Sequence, residues 1–341
     1  MKTTDSLILF MALALCVGNN AGASEILLRV ADENKKPLVG ADTLISFLHP
    51  QQKDKGHHGK ANKEGHFKAS GKNVVGVFVR VTKDGYYEWV REKGFGQQDH
   101  DITVVMRKIE NPIPLFVRKV NLKFPAYDEW LGFDFETGDW VAPQGKGKSK
   151  DILFKFHREY MGSDYSEREL AKIIPRVKEI KKKRGEKWDP EEFRLKTAKW
   201  KSEFRIRFSS DLEGIVEEKE GYLTYSEMKM PHLAPKEGYQ SEEIVIEKKS
   251  YKSNEEETEE MRHFLKFGKD KPSGYYIRTR VTEVDGKAIN ANYAKLPRMI
   301  EVGPAGSLSF VYYFNPTAND RNLEFHPKSN LATEQNRDYR P

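Results

Sequence analysis

Apolar and polar residues alternate with period two through residues 24–108. Ile26, Leu28 and Val30 fall on one side of an extended chain, as do Val75, Val77, Val79 and Val81, and later Ile102, Val104 and Met106. Period two with β-branched enrichment predicts half-buried strands. The connecting pieces DENKKP, NKEG and KDGY carry turn chemistry, so this region reads as a small antiparallel β-sandwich. After a proline-rich stretch at residues 109–128, read as a linker, the alternation resumes. Ile152, Phe154 and Phe156 share a side; so do Phe204, Ile206 and Phe208, then Tyr275, Ile277, Thr279 and Val281, then Leu308, Phe310, Tyr312 and Phe314. A second, larger β-rich domain over residues 129–330 follows, with residues 331–341 as a disordered tail.

One interruption has a different period. Ser166 with Glu169 makes a capping box, and Leu170, Ile173, Ile174, Val177 and Ile180 recur at helical spacing before the basic run KKKRGEK. A short helical insertion near residues 166–200 is expected, kinked or split at Pro175. The acidic run EEETEE at Glu255 to Glu260 reads as a second solvated insertion. The fold class is therefore mainly β: a sandwich followed by a larger sandwich carrying a helical insertion.

The segments VADENKKPLVGADTLISF, KANKEGHF, VRVTKDGYYEW and DITVVMRK resemble the carboxypeptidase regulatory-like module, a transthyretin-like β-sandwich appended to many exported bacterial proteins. The matching residues are Asp32, Pro37, Gly40 and Ala41, then Gly65 and Phe67, then Gly85, Tyr86 and Tyr87. Lys35 stands where that turn usually has glycine, and Ala61 where threonine is usual. The likeness covers about the first quarter of the chain. In that family the module is an accessory without catalytic residues, so the resemblance implies a binding or stabilising role. The phrases GFDFETGDWVAPQGKGKSKD and YYFNPTANDRNLEF are similar to segments of exported bacterial proteins that begin with the same module, and they imply no activity.

The first residues bear on compartment. The apolar run from Leu7 to Gly18, followed by Ala21-Gly22-Ala23, reads as a cleaved signal peptide over residues 1–23, with the mature chain starting near Ser24. A bilayer span takes about 20 apolar residues, so the run is too short for one, and no later segment is long enough. A buried N-terminal helix is the competing reading, disfavoured because the run has no polar face. Cys16, the single cysteine, follows Leu15 where a lipidation site wants a small residue, and it leaves with the signal. An exported chain without disulfides suits a bacterial periplasm or medium, and it excludes thiol catalysis and cysteine metal sites. The net charge of +6, from 58 Lys and Arg against 52 Asp and Glu, attracts anionic polymers but is mostly mixed surface. Export leaves nucleic acid the least expected partner.

Four groups of residues carry candidate chemistry. APQGKGKS, Ala142 to Ser149, fits the loose form of a phosphate-binding loop, which needs a buried strand before it and a helix after it. Here an alternating strand follows, so nucleotide binding is rejected and a Gly-Lys connection is expected. Lys146 and Lys148 in that loop, with Lys150 just after it, remain able to hold an anion such as sulfate or uronate. Histidines His57 and His58 lie in a Lys- and Gly-rich loop without metal-ligand spacing, so no metal is expected. The carboxylates Asp134, Glu136, Asp139, Asp151, Asp211 and Glu213 could do acid and base work on a glycosidic bond, or could simply be turn formers.

Aromatic residues make the last group. Tyr86, Tyr87 and Trp89 in one hairpin, and Trp130 and Trp140 beside Asp134 and Asp139, could stack on sugar rings, or could seal the cores. These readings converge on a secreted or periplasmic, non-enzymatic binding protein with polysaccharide or a partner protein as ligand and no cofactor. A glycan-acting hydrolase is the alternative, and a structural or assembly role the third.

Overall fold

The computed structural model describes residues 23–49, 56–72, 74–94, 100–163, 165–218, 225–242, 244–249, 274–297, 300–303 and 306–332. The signal peptide up to residue 22 and the acidic run at 255–260 lie outside the described residues. The chain is mainly β and divides into two compact units: the first holds residues up to Ile109 together with Tyr225–Glu227, and the second holds the rest.

The first unit contains β1 (Ala23–Asp32), β2 (Asp42–Leu48), β3 (His57–Lys60), β4 (His66–Lys72), β5 (Gly76–Thr82), β6 (Trp89–Gly94) and β7 (His100–Met106). A three-stranded sheet in the order β4-β1-β7 and a four-stranded sheet in the order β3-β2-β5-β6 enclose a core of Ile26, Leu28, Ile45, Val77, Val79 and Val104, among others. Alternation thus placed the inward positions, except that Val75 precedes β5 and is exposed. The sandwich is not wholly antiparallel as expected: β1 and β7 pair in parallel, Leu28 beside Ile102. His57 and His58, expected in a loop, form the start of edge strand β3 and are exposed. Lys35 has φ +62°, the left-handed conformation glycine favours.

The second unit begins earlier than its sequence pattern implied. Within the stretch read as a linker lies β8 (Phe116–Lys123), paired antiparallel over its whole length with β18 (Ser307–Asn315). Pro112, Pro114 and Pro125 flank β8 without entering it, so they punctuate a strand and do not loosen a linker. The other elements are β9 (Leu131–Asp134), β10 (Asp139–Trp140), β11 (Ile152–Ser163), α1 (Glu167–Lys183), α2 (Pro190–Lys196), β12 (Ala198–Arg207), β13 (Gly214–Glu217), β14 (Ile244–Lys249), β15 (Tyr275–Val284), β16 (Lys287–Leu296) and β17 (Glu301–Val302).

These strands make a five-stranded sheet, β10-β9-β11-β12-β14, and a six-stranded sheet, β13-β15-β16-β18-β17 with β8 on β18. Between them lies an aromatic core that includes Phe133, Phe135, Phe154, Phe204, Phe310 and Tyr312. The outer face of the six-stranded sheet is covered too, by Met230, Ala234 and Leu323 over Tyr276 and Tyr293. Over β18 itself Phe325 and Leu115 cover Tyr313 and Val311, and burial on both faces explains the nearly continuous apolar run of that strand. The expected tail starts inside the fold: Leu331 donates its N–H to Leu115 O, and Ala332 is buried.

α1 opens with the expected capping box, Ser166 and Glu169 each bonding the other's backbone N–H. Pro175 does not split it; the helix runs on to Lys183. The carbonyl of Ala171, deprived of its partner N–H by the proline, sits on an exposed residue where water can serve it.

Candidate functional site

A dense charged cluster of the second unit forms where the two sheets meet around Asp134, Glu136, Asp151 and Arg280. Strand β15 supplies the arginine through a break in its own ladder. Its register with β16 shifts between Thr279 and Thr282, and Arg280 has φ +53°. A bulge of this kind re-aims a side chain. Glu213 holds the bulge: its carboxylate accepts the N–H of Val281 at 3.2 Å and of Ser209 at 3.0 Å. Burial raises the Glu213 pKa, with the N–H donors of Val281 and Ser209 pulling it back down.

The redirected guanidinium meets Asp151 bidentately, Nε to Oδ1 at 2.6 Å and Nη2 to Oδ2 at 2.9 Å. It also donates from Nη1 to Glu136 Oε1 at 2.5 Å and from Nη2 to Asp134 Oδ1 at 3.3 Å, and its carbon lies 4.8 Å from the Phe314 ring centre. Asp151 is fully buried and accepts a further N–H, from Phe135 at 2.7 Å. Burial pushes its carboxyl up to about 6, against the pull of Arg280. The opposite holds next door, where Asp134 is held below the usual carboxylate range. Burial works against that ionisation, but four backbone N–H groups, from Lys148, Ser149, Thr137 and Glu136, outweigh it.

The same bonds decide the phosphate-loop question. The N–H groups of Lys148 and Ser149 donate to Asp134 Oδ2 at 2.7 and 3.1 Å, and that of Lys146 donates to Asp139 Oδ2 at 3.0 Å. These are the donors a phosphate would need, and the protein's own carboxylates occupy them. The glycines serve that closure. A Cβ on Gly147 would sit 2.8 Å from Asp134 Cβ and 2.9 Å from Trp140 O. Strand β11 follows the loop, as expected, where a phosphate loop would have a helix. The Lys146 and Lys148 side chains are exposed.

The aromatic residues do not assemble into a sugar platform. Trp140 is 4% exposed, packs on Phe124, Phe133 and Phe154, and donates from Nε1 to Lys123 O at 3.2 Å. Trp130 is half-buried, with the Arg207 guanidinium 4.1 Å from its ring centre. In the first unit Tyr87 and Trp89 are buried and Tyr86 is half-buried against the core. Trp89 also packs on Tyr225, and β6 is continued there by backbone bonds, Val90 N–H to Tyr225 O and Glu227 N–H to Glu88 O, both at 2.8 Å. Burial therefore corrects the sugar-stacking expectation for Trp140 and Trp89, whose faces are taken by core side chains and Tyr225, and leaves Tyr87 with 4% exposure. Asp211 is exposed and belongs to no such cluster; His157 is exposed and bonds Asp128 at 2.7 Å.

Two residues of note were missed from sequence. Arg280 is the hub just described. Lys295 is 1% exposed, its Nζ lies 5.0 Å from the Tyr313 ring centre, and it makes no hydrogen bond. Burial lowers its pKa to about 7, with Glu324 pulling the other way. Among the described residues no group of three or more His, Cys, Asp or Glu side chains is placed to hold a metal ion, and no helix is long and apolar enough to cross a membrane.

No protein-family model and no curated protein matches the chain. Solved structures give partial likenesses. Hydroxyquinol 1,2-dioxygenase from Pseudomonas putida DLL-E4 is 11% identical with a TM-score of 0.22, over 26% of this chain and 57% of that one. The shaft pilin spaA from Lactobacillus rhamnosus GG is 12% identical with a TM-score of 0.21, over 38% of this chain and 66% of that one. A DUF3823 family protein from Parabacteroides merdae ATCC 43184 is 6% identical with a TM-score of 0.22, over 87% of this chain and all of that one. At such scores the likenesses assign no function.

Proposed function

We propose that this chain is an exported, non-enzymatic binding protein of a bacterial envelope or its surroundings, with a carboxypeptidase regulatory-like module as its first unit and a partner protein as its ligand. The observation that carries this reading is the saturation of the Asp134, Glu136, Asp151 and Arg280 cluster. A glycosidase keeps two carboxyl groups facing each other across a cleft, roughly 5–10 Å apart and open to substrate. Here Asp134 and Asp151 are buried, and Arg280 binds both together with Glu136. The cluster ties one sheet to the other; it does not present an acid and a base to solvent.

A protein ligand is favoured over polysaccharide because the rings suited to sugar stacking are buried at Trp140, Tyr87 and Trp89. A glycan-array assay of the full chain at low and physiological salt tests this. The reading expects only weak binding to acidic glycans that disappears as salt screens it. Salt-resistant capture of one defined sugar, lost in Trp130→Ala, would replace it with the polysaccharide reading.

A further inference from the structure

The helical arm between β11 and β12 breaks the rule that governs the rest of its unit. Leu170, Ile173, Ile174, Val177 and Ile180 line one side of α1, as spacings of three and four require. A helix of a globular unit buries such a stripe. In α1 no residue is buried, and Ile180 is 40% exposed. Where the arm leaves the sheet, Tyr160 and Met161 at the end of β11 are exposed as well, 46% and 56%, with Arg194 of the arm 5.3 Å from the Tyr160 ring.

The charge beside the stripe is one-sided. From Glu167 to Lys187 nine Lys or Arg stand against four Glu, so α1 and the residues just after it are strongly basic, although α2 brings Glu191 and Glu192 back against Arg194 and Lys196. At about 3.6 residues per turn, Arg176 borders the stripe on one side and Lys178 on the other. Lys181, Lys182 and Lys183 occupy the last turn, followed by Arg184 at the cap. Lys178 reaches over Trp188, 5.2 Å from its ring, and Trp188 packs against Phe193 of α2.

We propose that this arm docks on the surface of a lipid bilayer carrying anionic headgroups. A narrow apolar stripe bordered on both sides by long basic side chains matches the boundary between acyl chains and headgroups. The stripe enters the apolar side while the Lys and Arg stems extend along it to the phosphates. Charge complementarity selects the occupant, because basic residues near a membrane surface add attraction only where the lipids are anionic.

Co-sedimentation of the full chain with phosphatidylcholine vesicles, with and without phosphatidylglycerol, is the test. Binding is expected to be roughly tenfold or more tighter on the anionic vesicles. It is expected to be lost in Ile173→Glu combined with Val177→Glu, and weakened in Lys182→Glu combined with Lys183→Glu. None of these residues is buried, and a urea-unfolding midpoint unchanged from the parent chain checks that the variants fold. Absence of vesicle binding would overturn the proposal, most plainly if the arm instead retained an acidic polypeptide such as polyglutamate. Binding that survives the loss of the stripe would overturn it too, by reducing the contact to charge alone.

Discussion

Arg280 and Asp151 are joined by two parallel hydrogen bonds of 2.6 and 2.9 Å that link β15 of one sheet to the start of β11 in the other. The pair exists because β15 bulges. Without the left-handed turn at Arg280, strict alternation would put that side chain on the same face as Arg278, away from the intersheet core. Glu213, Asp134 and the glycine loop then act as one assembly that fixes the bulge on one side and receives the guanidinium on the other.

Asp151 and Asp134 should respond to pH in opposite directions. Asp151 titrates near 6 in the folded chain and near 3.9 in the unfolded one. Its contribution to stability is therefore fully present below about 4 and is lost as pH rises towards 6. For Asp134, lowered in the fold, the contribution is present above about 4 and lost as pH falls below that. Carboxyl-carbon NMR titration checks both: one resonance moving near 6, the other below the usual range. Subtracting the pH–stability profile of Asp151→Asn isolates the first.

Lys295→Met should stabilise the protein. A buried amine that makes no hydrogen bond carries an uncompensated desolvation cost, and its exchange for an apolar side chain of similar size should recover about 1–3 kcal/mol. The pH dependence carries the sign. The folded lysine loses its proton near 7 and the unfolded one near 10.4, so between those values the unfolded chain binds more protons and stability rises with pH. The rise, up to about 1.4 kcal/mol per pH unit, should vanish in the variant. Urea unfolding at a series of pH values measures it.

The two tryptophans beside the acidic stretch should separate cleanly. Trp140→Ala removes a core ring and is expected to cost about 3–5 kcal/mol. Trp130→Ala removes a half-buried ring under Arg207 and is expected to cost about 1 kcal/mol or less. Thermal unfolding of the pair reads the difference.

Lys148→Ala should change stability by no more than about 0.5 kcal/mol, because the fold uses that residue's N–H and leaves its side chain exposed. Neither the parent chain nor the variant should gain thermal stability from magnesium with ATP or GTP. A nucleotide-dependent rise abolished by Lys148→Ala would restore the phosphate-loop reading rejected above.

What the sequence made legible was what period two records. The inward sides of β1, β5, β7, β11, β12 and β18 could be read directly, and the capping box placed the start of α1. What stayed hidden depended on breaks in that period. Arg280 sits in a bulge, β8 lay between prolines that looked like a linker, and the parallel partner of β1 comes from a distant part of the chain. The acidic side of the charged cluster was visible: Asp134, Glu136 and Asp151 were singled out, but the arginine that neutralises them is more than a hundred residues away. Aromatic residues next to acids look alike in sequence whether they face solvent or core, and only packing decided Trp140.

The measurement that tests the central claim most directly is the urea-unfolding midpoint of Arg280→Met against the parent chain. If the cluster is a structural tie between sheets, removal of its cation strands buried carboxylates, and stability should fall by about 3–5 kcal/mol. Unchanged or increased stability would contradict the account, since replacement of a residue strained for function commonly relieves that strain, and it would return the four residues to consideration as a working site.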